Sequence, residues 1–459
     1  LSTVPSSILQ LLARFGQEHV LQHWDELSTT SKSKLLKQIE SIDFEIFDQL
    51  VAVSQCNANK SSENAILPSP FISVADEGIG WDDVEKAGEA LVRQGKLGVL
   101  TVAGGQGTRL GWNGPKGTFP ATPITGKSLF QLIAEQILFA SEKYAVAIPW
   151  YIMTSVENDE ITRSFLLDNN CFGLDRTDIF AFPQGVIPAV DMNGKMLLVE
   201  KDQIFMNPDG HGGVITALHR SGALEEMASR GIEHLAYVQV DNPLVKVIDP
   251  IFLGLHCSDR SSREVSSKCV MKSDPDERVG VFCKRGASTS IVEYSDMTTE
   301  QTHEKHGDNL AYCCGSIAAH LFATSFIESA ASDLPWHVAH KVVPFIDSST
   351  GEKVTPQKPN AYKFERFVFD VLPLASNSIV LETERNEEFA PIKNASGHDS
   401  AETSMKLQCE RATAWLQACG VEVASGATVE ISPTTAASIG DLKRTTLPTQ
   451  ITAGEIVSL

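Results

Sequence analysis

Three glycines fall within four positions at Gly104-Gly105-Gln106-Gly107, followed at once by Thr108 and Arg109 and a few residues later by Lys116. Backbone without Cβ atoms reaches positive φ and lets N–H groups close on an anion. A guanidinium adds a planar fork for phosphate oxygens, and an ammonium adds a mobile point charge. The string therefore reads as a phosphate cradle. It matches neither common alternative: no GxxxxGK[ST] occurs, and the GxGxxG pattern begun by Gly105 and Gly107 meets Leu110 where its last glycine belongs. Farther along, the apolar run ending in Val238-Gln239-Val240 stops at Asp241-Asn242. Open α/β sheets hold ligands at the carboxyl ends of their strands. A carboxylate there suits Mg²⁺, which takes one or two carboxylates plus phosphate oxygens; helix capping is the alternative for Asp241. A second glycine-rich segment, Asn207-Pro208-Asp209-Gly210-His211-Gly212-Gly213, precedes a helical stretch. Its backbone can approach a base or a sugar, and His211 is either a ligand contact or a surface histidine at a turn.

These residues need a frame. Leu97–Ala103 is a short apolar run bounded by glycines and suits a buried strand. Ser128 and Gln131 form a capping-box pattern ahead of a stripe of Phe130, Ile133 and Ile137. Further strands are expected at Trp150–Met153, Ile179–Phe182 and Leu235–Val240, with a helix near Glu160–Leu167 between the first two. The alternation predicts an α/β protein with a Rossmann-like mixed, mostly parallel central sheet and helices on both faces. Before it, Ile8, Leu11, Leu12 and Phe15, then Leu35, Leu36, Ile39 and Ile42, repeat at helical spacing; 57–64 reads as a polar loop, and Trp81–Arg93 as a helix stopped by Gly95. After about residue 265 the pattern turns β-rich, with strands expected at Lys268–Met271, Gly280–Cys283, Ile291–Tyr294, Phe364–Leu374 and Ser378–Glu384, and a helix over Ala401–Ala418. Three regions follow: a helical N-terminal part over 1–95, a nucleotide-handling domain over 96–398 and a small β-rich C-terminal part over 399–459.

Composition narrows the function. Of the 459 residues 42% are hydrophobic and the formal net charge is −20, so the chain repels nucleic acid and anionic membrane surfaces. Any phosphate site must be local. No apolar run is long enough to cross a membrane, and Leu1–Gln10 lacks the flanks of a secretory signal. Nine cysteines without a CxxC argue against a disulfide framework or zinc site and fit a reducing, cytoplasmic setting.

The string GGQGTRLG with its following PK resembles the signature of eukaryotic-type UDP-sugar pyrophosphorylases, most closely their UDP-N-acetylglucosamine branch. Further segments resemble the family in the expected order over about residues 75–400. The resemblance implies transfer of uridylyl from UTP to a sugar 1-phosphate with release of pyrophosphate, dependent on Mg²⁺ at Asp241. It implies that Gly104, Gly105, Gly107 and Thr108 hold the nucleotide and that Arg109 and Lys116 act on the phosphates. Phe182-Pro183-Gln184-Gly185 resembles the uracil-reading segment, and the Gln184 amide can both donate to and accept from an imide edge. Gly212 is expected at the nucleotide, and His211 and Asn242 at the sugar. Arg278–Val281 and Ile291–Ser295 resemble the sugar-contact strands, which brings in Gly280 and Glu293. In Asn360–Asp370, Phe367 and Phe369 would share one strand face, either lining the sugar pocket or as core. Glu384–Asn394 resembles the segment whose lysine, here Lys393, reaches the phosphates.

Two departures bear on the sugar. The N-acetylglucosamine branch carries asparagine where His211 stands, and GHG is more similar to glucose and broad-specificity members. At Tyr312-Cys313-Cys314-Gly315-Ser316, Cys313 and Ser316 replace two asparagines, the first of which contacts the sugar. A thiol is a weak hydrogen-bond partner. N-Acetylglucosamine 1-phosphate is the favoured substrate; glucose or galactose 1-phosphate is the alternative, and a UDP-sugar-binding protein without catalysis a more distant one. Oligomeric state is left open.

Overall fold

Leu97–Val102 (β1) is buried along almost its whole length, as a strand covered on both faces must be. It lies between Trp150–Thr154 (β2) and His234–Gln239 (β4), parallel to both, and Ile179–Pro183 (β3) continues the parallel set beyond β2. The computed structural model describes residues 4–56, 65–331 and 333–459; the stretch 57–64, expected as a loop, lies outside them. Among the described residues these strands belong to a ten-stranded sheet. The sheet is mixed, and the expectation of mostly parallel strands holds for one half of it. In the other half Val265–Met271 (β5), Val281–Arg285 (β6), Ser288–Val292 (β7) and Cys314–Ala323 (β8) pair antiparallel, while Ile379–Glu382 (β9) runs parallel to β5. The reason is local: β6 and β7 are joined by a tight turn at Gly286, with φ +62°, so they must run antiparallel.

Trp81–Arg93 (α1) is the helix expected there, and Gly95 ends it with φ +69°. Leu129–Tyr144 (α2) is capped by Ser128, whose hydroxyl accepts from the Gln131 N–H at 3.1 Å. The Gln131 amide donates to Glu135 at 2.8 Å instead of closing the capping box. Pro250–His256 (α3) is capped by Asp249 and packs so closely on α1 that a Cβ on Gly88 would stand 1.8 Å from the Pro250 carbonyl. The core between sheet and helices is built from Val99, Phe130, Ile133, Trp150, Ile152, Val238 and Leu253. Ala401–Ala418 (α4) takes the expected bounds and packs on short strands after residue 420 through Trp415, Leu416, Val429 and Ile451.

By contact the chain divides into two units, one of 1–64, 184–214 and 333–368, the other of 65–183, 215–332 and 369–459. This line differs from the sequential division into 1–95, 96–398 and 399–459. The N-terminal helices bury Leu12, Trp24, Leu35 and Phe47 together with Val190, Leu198, Ile204 and Phe364, so distant segments complete their core. Residues 65–95 belong instead with the large sheet, and the C-terminal part shares its unit. One strand expectation fails. Over Phe364–Leu374 the strand is Ala361–Glu365, and Val368–Leu374 is a 3₁₀ helix containing Pro373, so Phe367 and Phe369 do not alternate on one strand face.

Candidate active site

In the larger unit, β1 and β4 end side by side, with Val102 opposite Gln239 and the Val240 N–H bonded to the Val102 carbonyl at 3.2 Å. The glycine loop leaves β1 and Asp241 leaves β4 at the same edge. The loop folds on itself: the Gly107 N–H donates to Gly114 O at 2.9 Å, and the Lys116 N–H donates to Gly105 O at 3.0 Å. Asn158, buried, donates to Ala103 O at 3.2 Å and anchors its base. The glycines differ in purpose. A Cβ on Gly107 would lie 2.7 Å from that of Trp112, whereas one on Gly105 would meet nothing within 4 Å. Gly105 therefore presents open backbone at the strand edge, and Gly107 lets Trp112 close the loop. Gly104 is half-buried, and Thr108 and Arg109 are exposed. Among the described residues, Arg109 has no side-chain hydrogen bond or ion pair.

This closure sets the backbone of Lys116 beside Gly105 and sends its Nζ to Asp241 Oδ2 at 3.0 Å, each side chain 15% exposed. Burial by itself raises the Asp241 carboxyl, but the charges of Lys116 and Lys393 outweigh it and hold the group below its ordinary value. Lys393 arrives from another part of the chain. The Ile392 N–H donates to Asp241 O at 2.8 Å, which fixes this segment along the metal candidate. The Lys393 ammonium is half-exposed, 4.0 Å from Asp399 Oδ2 and over the Phe389 ring.

Asn242, expected at the sugar, is engaged with backbone here. It is buried; its amide donates to Glu388 O at 2.6 Å and accepts from the Ala390 N–H at 3.0 Å. Asn242 thus ties the residue after Asp241 to the segment that carries Lys393. Beneath it lies a network that sequence reasoning missed. Lys268, 1% exposed, donates to Asp249 at 2.6 Å and to both oxygens of Glu388 at 2.8 and 2.6 Å, and Thr383 donates to Glu388 at 2.7 Å. Burial lowers the Lys268 ammonium, yet Asp249 and Glu388 outweigh it and hold it above its ordinary value. Asp249 in turn stands at about 2, with burial opposing and Lys268 prevailing. The partners are far apart in sequence; the one visible signal was Asp249-Pro250, a helix-start pair.

Gly280, Glu293 and Cys313 gather around β6, β7 and β8. A Cβ on Gly280 would stand 3.3 Å from a Glu293 carboxylate oxygen, and the Ser316 N–H donates to Gly280 O at 2.8 Å. The Cys313 carbonyl accepts from Lys272 and Gly315, and its thiol lies 4.0 Å from that of Cys314. The hydrogen bond with Cys314, together with burial, pushes the Cys313 thiol up. Phe369 belongs to this unit, in the 3₁₀ helix.

Gln184, His211, Gly212 and Phe367 lie in the other unit. Gln184 is buried. The second glycine loop packs backbone to backbone against 366–367: a Cβ on Gly212 would be 2.6 Å from the Phe367 carbonyl carbon, and the Gly212 N–H donates to Arg366 O at 2.8 Å. The Phe367 ring stacks on His211 at 5.4 Å and meets His337 at 4.4 Å. The Val368 N–H donates to His211 Nδ1, which leaves the ring proton on Nε2.

The model of the family described as UTP–glucose-1-phosphate uridylyltransferase matches residues 45–409. UDP-N-acetylglucosamine diphosphorylase 2 of Arabidopsis thaliana is 37% identical over 90% of this chain and 85% of its own length. UDP-N-acetylglucosamine pyrophosphorylase of Saccharomyces cerevisiae is 33% identical over 92% of this chain and 93% of its own. The solved uridine diphosphate N-acetylglucosamine pyrophosphorylase of Trypanosoma brucei has a TM-score of 0.81 at 25% identity, covering 95% of this chain and 93% of that one. A glycine loop and a carboxylate meeting at one sheet edge, in a chain matched along most of its length, make this protein a nucleotidyltransferase that belongs to the UTP–glucose-1-phosphate uridylyltransferase family.

Proposed function

We propose that the chain joins UTP to N-acetylglucosamine 1-phosphate, forming UDP-N-acetylglucosamine and pyrophosphate, with Mg²⁺ held at Asp241. The observation that carries this reading is the convergence of Lys116 and Lys393 on one ionised carboxylate at the ends of neighbouring parallel strands. The names of relatives 33–37% identical to the chain support the sugar.

A phosphate oxygen of the sugar phosphate attacks the α-phosphorus of UTP in line. The bond from that phosphorus to the bridging oxygen breaks, and its electron pair leaves with pyrophosphate. The nucleophile is already anionic, so no general base is required, and the work is positioning and charge neutralisation. Arg109 and Lys116 meet charge on the leaving group. Lys393 screens the incoming sugar phosphate. The open backbone at Gly105 takes the uridine. Asn242 and the Lys268–Glu388 pair are positioning residues, since they hold the segment from which Lys393 projects. One half-buried carboxylate kept ionised fits Mg²⁺, which would supply neutralisation of phosphate charge when bound. Lys272 and Glu293, beside Cys313 and Gly280, frame the sugar end of this reading.

A second reading has one observation behind it. Cys313 stands where an asparagine would contact the acetamido sugar, which favours a broader enzyme that also takes glucose or galactose 1-phosphate. Pyrophosphate release from UTP with the three sugar 1-phosphates side by side separates the two. A kcat/KM for glucose 1-phosphate above that for the N-acetyl sugar would overturn the first. No release with any of them, alongside stabilisation by UDP-sugar, would leave only a binding protein. Among the described residues no helix is long and apolar enough to cross a membrane. The eight cysteines with described side chains are free thiols, and this supports a cytosolic location.

A further inference from the structure

The far end of β4 carries a second cluster. His234 is the first residue of that strand, His256 the last of α3, and Cys257 follows it. One ligand atom from each lies within 4.8 Å of the other two, and His234 Nε2 is 3.4 Å from Cys257 Sγ. Both imidazoles are buried, at 8% and 0% exposure, and His234 Nδ1 and His256 Nε2 have no hydrogen-bond partner. A buried nitrogen without a partner is destabilising, and a ligand on His256 Nε2 would remove that cost there. His256 Nδ1 is held by the Ser266 hydroxyl at 2.8 Å, the outer-shell contact that orients a metal-ligating histidine and leaves Nε2 as the donor atom.

We propose that His234, His256 and Cys257 bind a borderline-soft divalent metal ion of the Zn²⁺ class. Tetrahedral Zn²⁺ with bonds of about 2.0 Å to nitrogen and 2.3 Å to sulfur sets those ligands about 3.5 Å apart. The observed 3.4 Å between Nε2 and Sγ already meets this spacing. Three protein ligands would leave a fourth position for water, and Cys257 is only half-buried. Burial keeps the His234 imidazole below its ordinary value and drops that of His256 to about 3, so both are neutral and able to ligate near pH 7. The Cys257 thiol is pushed up to about 11 by burial, so the metal displaces its proton to solvent as the S–metal bond forms. The nearby charges are already engaged: Glu233 with Lys96 at 2.5 Å, and Arg263 with Asp259 at 3.2 Å. The site is distinct from the Asp241 edge, since β4, with five steps of about 3.3 Å from His234 to Gln239, puts about 17 Å between its two ends. It would staple the end of α3 to the start of β4. A thiolate and two imidazoles do not select Mg²⁺, so the ion is not the one the reaction needs.

The test is a Co²⁺ titration of the full chain after chelator treatment, read by the thiolate-to-cobalt charge-transfer band. One equivalent should give the band with release of one proton. Excess Mg²⁺ should leave it, and Zn²⁺ should abolish it and raise the melting temperature. Cys257→Ser and His256→Ala should each lose the band, and Cys419→Ser should keep it. Far-ultraviolet circular dichroism reports whether each variant is folded. No band in the folded wild type at stoichiometric Co²⁺ overturns the proposal and leaves a hydrogen-bonded trio. So does a band that survives in Cys257→Ser.

Discussion

Replacing Lys116 with alanine separates catalysis from binding. In the free protein its ammonium is 3.0 Å from the Asp241 carboxylate, and both are 15% exposed. At an effective dielectric constant of about 20, unit charges at that spacing attract by about 5 kcal/mol before desolvation is subtracted. UTP must compete for a lysine that is already engaged, so much of what the nucleotide gains from Lys116 is offset by what Asp241 loses. The ground-state benefit is therefore small. Charge that develops on the departing pyrophosphate meets no such offset. Removing one preorganised donor at developing charge lowers kcat by about 10²–10³, or about 2.7–4 kcal/mol. We expect Lys116→Ala to lose that much in kcat while the Kd for UTP moves by less than about tenfold. Steady-state pyrophosphate release gives the first quantity, and calorimetric titration of UTP the second. A second consequence has a definite sign. Lys116 helps hold the Asp241 carboxyl below its ordinary value. Without it that pKa rises, so the acidic limb of the rate profile should move to higher pH in the variant. Unchanged kcat, or a loss confined to KM, would refute the reasoning, as would an acidic limb that moves the other way.

Two further substitutions probe the surroundings. Lys268→Met leaves Glu388 and Asp249 buried without their cation, which should cost about 3–5 kcal/mol by urea unfolding. Asp249 at about 2 lies below the ordinary value near 4, so its contribution is complete above about pH 4 and is lost as pH falls toward 2; the stability gap between parent and variant should therefore narrow over that range. A stability within about 1 kcal/mol of the parent would show that the network is not coupled to folding. Cys313→Asn restores an amide beside Gly315 and should raise the preference for the N-acetyl sugar over glucose 1-phosphate by about tenfold to a hundredfold, the equivalent of about 1–3 kcal/mol for one buried polar contact. An unchanged kcat/KM ratio would remove Cys313 from the specificity argument.

What the sequence disclosed follows from how local each feature is. The glycine loop and Asp241 both follow apolar runs with abrupt ends, and a buried strand stopping at glycine or acid is a pattern readable within ten residues. The two meet because β1 and β4 are neighbours in the sheet, which the strand pattern alone does not state. Phe364–Leu374 misled because its apolar spacing fits a strand, while Pro373 and the packing of Val368, Val371 and Leu372 favour a 3₁₀ turn. Phe367 finds its partners in His211 and His337, neither nearby in sequence. The N-terminal helices were legible by period, but not what completes their core, since Val190, Ile204 and Phe364 come from two remote segments. Lys268 looked like one residue of an expected strand. Only the fold brings it to Asp249 and Glu388, and no local signal distinguishes a lysine bound for such a pair from one bound for solvent.

The net charge of −20 poses the question of how two phosphorylated reactants are held at all. The strand edge answers it by treating its carboxylates unequally. Glu388 is neutralised below by Lys268 and more distantly by Lys246 at 3.8 Å, so it adds little negative potential to the site above it. Asp241 is left as the carboxylate on which Lys116 and Lys393 both act. A carboxylate balanced by one lysine and partly by a second is close to neutral as a local unit, so phosphate is not repelled. Asp241 also holds the Lys116 ammonium at the strand edge. On the proposed reading, a divalent cation on that carboxylate would free the Lys116 ammonium for phosphate oxygens. The Lys116–Asp241 ion pair would then be a holding state, which is why removing Lys116 is expected to act on turnover more than on affinity.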